Sequence, residues 1–244
     1  MKKVLVVLLL CVGTLAFSQE TALLRLNYEK GDTYEVKTVM KQSMGEFMKM
    51  DMTMSMDLNV TDAKDNAIIS EATFSHVKMD MESMGQKMDY DSNTEESELS
   101  PFGKGMHVEM KKLLETVVTI ENDKLGNVTK TDIKSGIADI SSFKDNMSGM
   151  IFPEEAVEVG YKWNETKEQE GMNIETTYEV ASITDDTVEL KVTGNVSGAA
   201  KGTLEGSSSV DRATGNVIKS EVNMSVTAEG QAIETSVVMT STKK

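Results

Sequence analysis

The chain has 244 residues, 40 acidic against 25 basic side chains, a formal net charge of −15 and 39 % hydrophobic residues. A surface this acidic repels phosphate backbones and anionic head groups, so nucleic acid is excluded as the expected partner. With one cysteine there is no disulfide framework, and stability has to come from burial and hydrogen bonding.

The first residues read as a signal peptide. Lys2 and Lys3 precede an apolar stretch from Val4 to Leu15, and Ala16-Phe17-Ser18 places small residues where a signal peptidase reads, with cleavage before Gln19. The stretch is too short for a membrane span, so no transmembrane segment is expected. Leu9 and Leu10 ahead of Cys11 argue against a lipidated cysteine. The expected organisation is a signal peptide over 1–18 and a single β-rich domain over 19–244, exported to the periplasm or secreted. Losing the two lysines takes the net charge from −15 to −17.

Strand signals dominate the rest of the chain. Leu24, Leu26 and Tyr28 alternate with Arg25, Asn27 and Glu29, and Tyr34, Val36 and Met40 continue the pattern after a Gly31-Asp32 turn. From Met48 to Val60 the alternation is strict. Met48, Met50, Met52, Met54, Met56, Leu58 and Val60 would scatter around a helix, but all face one side of a strand. The cluster at 62–66 is a turn, Ala67 to Met81 is a second long strand, and a third ends at Tyr90. Residues 91–105 read as an acidic loop. A short helix is expected from Met106 to about Glu115. A second is expected from Ser135 to Met150, with Ile137, Ile140, Phe143, Met147 and Met150 at helical spacing, inside a helical connector over 134–152 that Phe152-Pro153 ends. After Val157 everything is strand and turn.

The chain repeats itself across approximate halves, 23–133 and 157–244. Residues 126–133 (Gly126-Asn127-Val128 onward) recur as 215–222 (Gly215-Asn216-Val217 onward). Gly31-Asp32-Thr33-Tyr34 matches Gly160-Tyr161-Lys162-Trp163, and the turn at 62–66 matches Thr184 to Thr187. Gly-Asn suits any tight hairpin, but the coincidence of three markers favours an internal duplication over a regular solenoid. Trp163 takes the place of Tyr34 and is expected to anchor core at a strand start.

Four stretches carry a resemblance: 24–34 (Leu24-Arg25-Leu26 to Tyr34), Met88-Asp89-Tyr90-Asp91-Ser92, 152–163 (Phe152-Pro153 to Trp163) and 210–217 (Val210-Asp211-Arg212 to Val217). Together they resemble an uncharacterised family of exported Gram-negative bacterial proteins, a domain of unknown function. The resemblance implies export and a β-rich fold, and brings no activity with it. At the level of fold alone, long curved strands with one or two helices resemble the half-barrel of periplasmic lipoprotein carriers. The expected fold is therefore mainly β: a curved antiparallel sheet or open half-barrel with one or two short covering helices.

Catalytic chemistry finds little support. His76, alternating with Val77 and Met79, should point to solvent. His107 opens the short helix, and no Gly-x-Ser-x-Gly elbow accompanies it. Glu154-Glu155 and Asp185-Asp186 are pairs that 40 acids produce by chance, and a glycosidase would want aromatic platforms where only one tryptophan exists. No catalytic residue, cofactor or enzymatic activity is expected.

The anomaly is methionine, present 19 times. Valine and isoleucine suit strands better, whereas a methionine face adapts to varied apolar ligands. Met48, Met50, Met52, Met54, Met56 and Leu58, joined by Met79 and Met81, form the candidate ligand-binding face. Three readings compete: plain core, a surface for a lipid or acyl chain, and a Cu(I) site at Met50, Met52 and Met54, since thioethers select that ion. The expectation is an exported, non-enzymatic carrier of an apolar ligand, with a structural envelope protein as the alternative.

Overall fold

Period-two alternation organises most of the chain into one large sheet. The computed structural model describes residues 20–64, 66–135, 149–169 and 171–244. The expected signal peptide, and residues 136–148 of the expected second helix, lie outside them. In chain order the elements are β1 (Thr21–Ala22), β2 (Thr33–Met44), β3 (Met48–Lys64), β4 (Ala67–Ser83), β5 (Gln86–Asp91), α1 (Pro101–Leu114), β6 (Val117–Asn122) and β7 (Val128–Ser135). Then come β8 (Val157–Glu158), β9 (Lys162–Gln169), β10 (Met172–Ile183), β11 (Thr187–Gly198), β12 (Ala200–Asp211), β13 (Val217–Ala228) and β14 (Gln231–Lys243).

Apart from β1 and β8, which pair with each other, every strand joins a single 12-stranded sheet in the order β7-β6-β4-β3-β2-β14-β13-β12-β11-β10-β9, with β5 also on β4. All its pairings are antiparallel. The sheet is open: β7 and β9 are its ends. This is the mainly β, unclosed architecture expected from the alternation, with one helix among the described residues. Ser135, expected to begin the second helix, instead closes β7, and Met150 lies in irregular backbone.

The sequence repeat is a structural repeat. β2-β3-β4-β6-β7 and β9-β10-β11-β12-β13 follow the same meander. At the start of each, a glycine N–H donates to a valine carbonyl, Gly31 to Val60 and Gly160 to Val180, both at 2.8 Å. The same valines donate back, to Asp32 at 2.8 Å and to Tyr161 at 2.9 Å. A register shift follows each, between Val60 and Asp62 and between Val180 and Ser182.

The two halves clasp each other through the segments that lead into them. Asn27, ahead of β2, donates its N–H to Thr214 in the β12–β13 turn, and Phe152, ahead of β9, donates to Leu125 in the β6–β7 turn, each at 2.8 Å. The recurrent turn glycines sit beneath these crossings with positive φ, +94° at Gly126 and +69° at Gly215. A Cβ there would lie 2.6 Å from the Met150 carbonyl oxygen and 2.1 Å from that of Arg25. Glycine is thus required twice over, by backbone conformation and by close approach. The lead-ins bury Ala22, Leu24, Phe152 and Val157 against Val180, Val188, Leu190 and Val210; a leucine or phenylalanine so buried contributes about 1.5–3 kcal/mol.

Helix α1 begins earlier than the sequence pattern indicates, since residues 101–105 read as loop. Ser100 caps it, its hydroxyl accepting the Gly103 N–H at 3.0 Å, and Pro101 opens it. Gly103 is buried, and a Cβ there would come within 3.3 Å of the Asp89 carbonyl oxygen. Packing against β5, rather than helix propensity, sets this end.

Candidate functional site

Register brings methionines from neighbouring strands side by side. On the inner face, where the core clusters also lie, Met52 of β3 is opposite Met40 of β2 and Met79 of β4. Met50 is opposite Met81 of β4, which is opposite Met88 of β5. Met48 faces Met44 across the β2–β3 hairpin. Directly opposed side chains on adjacent antiparallel strands have Cβ atoms about 4.5–5.5 Å apart, so these thioethers form a two-dimensional field.

The sequence-predicted residues fall into two groups. Met54 packs beside Val77, Tyr90 and Leu113, where α1 brings Met106 and Met110. Met56 and Leu58 pack beside Ala72, Val118 and Ile120. Those three half-buried residues pack against core. Met48, Met50, Met52, Met79 and Met81 belong to no core cluster of the described residues and are half-buried. The proposed copper triad is therefore divided, with Met54 under the helix while Met50 and Met52 gain partners from other strands. No described methionine is fully buried. Phe47 and Met84, 63 % and 83 % exposed, extend the field at its rim, where the Met84 N–H donates to the Phe47 carbonyl at 3.1 Å.

Across the seam between β2 and β14 the inner face changes character. Met40 is opposite Val237, which is opposite Val222; Gly206, Val192, Tyr178 and Trp163 continue the same row to the β9 edge. Gln42 donates its amide to the Thr235 hydroxyl at 3.3 Å, so the field has a polar border on this side.

Titratable groups lie around the field rather than in it. His76 points to the outer face as expected, but its Nε2 lies 2.9 Å from the Asp91 carboxylate. Burial pushes the Asp91 carboxyl up, yet the Asn93 N–H and His76 outweigh it and hold it below the ordinary range. The Tyr90 hydroxyl is 3.3 Å from His107 Nδ1, and burial, then the Asp91 charge, raises its pKa. No cluster of three or more His, Cys, Asp or Glu among the described residues could hold a metal ion. No described helix is long and apolar enough to cross a membrane.

A second feature escaped the sequence reading. A recess of about 540 Å³ lies between the lead-in at Ile151–Glu154 and β9 at Trp163–Lys167. Trp163 stacks on Tyr178 with centroids 5.2 Å apart and donates Nε1–H to the Ile151 carbonyl at 2.9 Å, which makes it the anchor expected. Glu165 accepts the Ile151 N–H at 2.5 Å. Burial raises its pKa despite that bond, the Lys167 charge and the Tyr178 hydroxyl. Both ring and carboxylate hold the lead-in in place, so these polar groups are occupied structurally.

A family model described as a family of unknown function (DUF6263) matches residues 138–238, a span that covers strands β8 to β13 and most of β14. No curated protein matches the chain.

Proposed function

We propose that the protein is an exported, non-enzymatic binding or carrier module for an apolar ligand, a lipid or acyl chain, held against the methionine field. The observation that carries this reading is the half-buried state of Met48, Met50, Met52, Met79 and Met81 on the core-bearing face of an open sheet. Leaving large apolar side chains there half-wet forfeits part of their burial energy, roughly 25 cal/mol for each Å² left exposed. A ligand that covers them recovers it. Methionine suits the task because an unbranched, polarisable side chain can repack around occupants of different shape. Phe47 and Met84 at the rim give such a ligand an apolar path on and off the field.

Delipidated protein should take up a fluorescent fatty acid saturably, with emission shifted to the blue, and Met52→Glu should weaken uptake at least tenfold while the fold persists by circular dichroism. Absence of uptake by folded, delipidated protein overturns the reading.

A further inference from the structure

We propose that the methionine field holds soft monovalent metal ions, Cu(I) or Ag(I), in two cross-strand thioether rows: Met40–Met52–Met79 and Met50–Met81–Met88. Each row takes one residue from each of three consecutive neighbours in the sheet, β2, β3 and β4 for the first and β3, β4 and β5 for the second. This arrangement differs from methionines spaced along one strand, whose side chains rise about 6.8 Å apart in parallel. Here the strands are about 4.8 Å apart, and the outer two methionines of a row can each lean over the central one through three rotatable side-chain bonds. Three neutral sulfurs around one ion is a donor set that selects Cu(I) over harder ions.

Two further observations favour the site. All six methionines are half-buried, so an ion can reach them without the core opening. The net charge of −15 concentrates cations around the molecule. Binding forms only dative S–Cu bonds, with no change of oxidation state and no proton released, since a thioether has none to lose. Affinity should therefore stay flat between about pH 5 and 8, unlike that of thiolate or imidazole sites, which must shed protons to bind.

The metal site does not rest on the carrier reading, and two assays on the wild type separate them. Met→Leu removes the sulfur and keeps the apolar surface, a near volume-conserving change that costs under about 1.5 kcal/mol. The protein is titrated anaerobically against a colorimetric Cu(I) chelator, with fatty-acid uptake measured in parallel. The wild type should withdraw two Cu(I) per chain and no Zn(II), and X-ray absorption should show sulfur neighbours alone. Met52→Leu with Met79→Leu should lose one ion, and Met50→Leu with Met81→Leu the other, with circular dichroism showing that both pairs still fold. Failure to withdraw Cu(I), or undiminished withdrawal when all four are leucine, overturns the site. Wild type that withdraws Cu(I) yet takes up no fatty acid supports the metal site and overturns the carrier reading.

Discussion

The two halves share a meander, a bulge after the same valine and a glycine clamped at the same turn, yet they fill their inner faces differently. In the second half the lead-ins cover one end of the face, where Val180, Val188, Leu190 and Val210 are buried beneath them. In the first half α1 covers only the part near Met54, and the methionines beyond it stay half-exposed. β-Branched side chains specify a rigid core on a pleated surface, and methionine does not. One scaffold thus carries a stabilising half and an adaptable half.

The comparison is broken or sharpened by mutation. The largest effect should come from the clasp: Gly215→Val meets both a positive φ and a backbone oxygen 2.1 Å from its Cβ, and should cost about 4 kcal/mol. Gly126→Val, with its nearest oxygen at 2.6 Å, should cost less, and urea unfolding would show the order. Equal tolerance at both turns would mean that the clasp is not what joins the halves.

Next come the two faces. Leu190→Ala, at 2 % exposure, should cost about 3 kcal/mol. Met52→Ala should cost under about 1 kcal/mol, because its side chain is already partly in water. Similar losses would show that the methionine field is core after all.

The halves should also answer pH with opposite sign. Burial pushes the Asp32 carboxyl up, but Lys243 at 2.6 Å, the Glu29 N–H and the Tyr34 hydroxyl hold it below the ordinary range. Its contribution is complete above the unfolded value of about 3.9 and disappears as pH falls through the lower folded value. Asp32→Asn should therefore cost about 1–2 kcal/mol at pH 7 and nothing in strong acid. Glu165 has a raised pKa, so the folded state keeps its proton longer and loses stability as pH rises through that folded value. Glu165→Gln should remove that decline, visible as a higher melting temperature at pH 7 and none at low pH. The smallest effect belongs to the outer face, where Lys41 and Asp51 pair at 3.9 Å with both side chains more than half exposed; Lys41→Ala should move stability by less than about 0.5 kcal/mol.

Much of this fold was legible in the sequence because strand alternation is local. Residues 48 to 60 read as one strand, and β3 runs from Met48 to Lys64. The repeated Gly-Asn turns pointed to matching hairpins, and Trp163 to an anchor. Register was not legible. Nothing in the spacing of Met40, Met52 and Met79 says that they are direct neighbours, because that depends on hairpin lengths and on the bulge between Ser55 and Met56. The start of α1 was hidden by Gly103 and Gly105, which lower helix propensity. The pairing of β2 with β14 could not be read at all, since neither strand carries a mark of the other.

That seam has a consequence for how the molecule assembles. Gln42 and Thr235 touch across it although 193 residues separate them, so the centre of the sheet is also its most distant contact along the chain. Closing so long a loop is slow in any antiparallel protein. A nascent chain made only through β13 would display two bare central strands, β2 and β13, each free to recruit another molecule. Deleting β14 should accordingly provoke aggregation, whereas trimming β9 removes a border and leaves the middle intact.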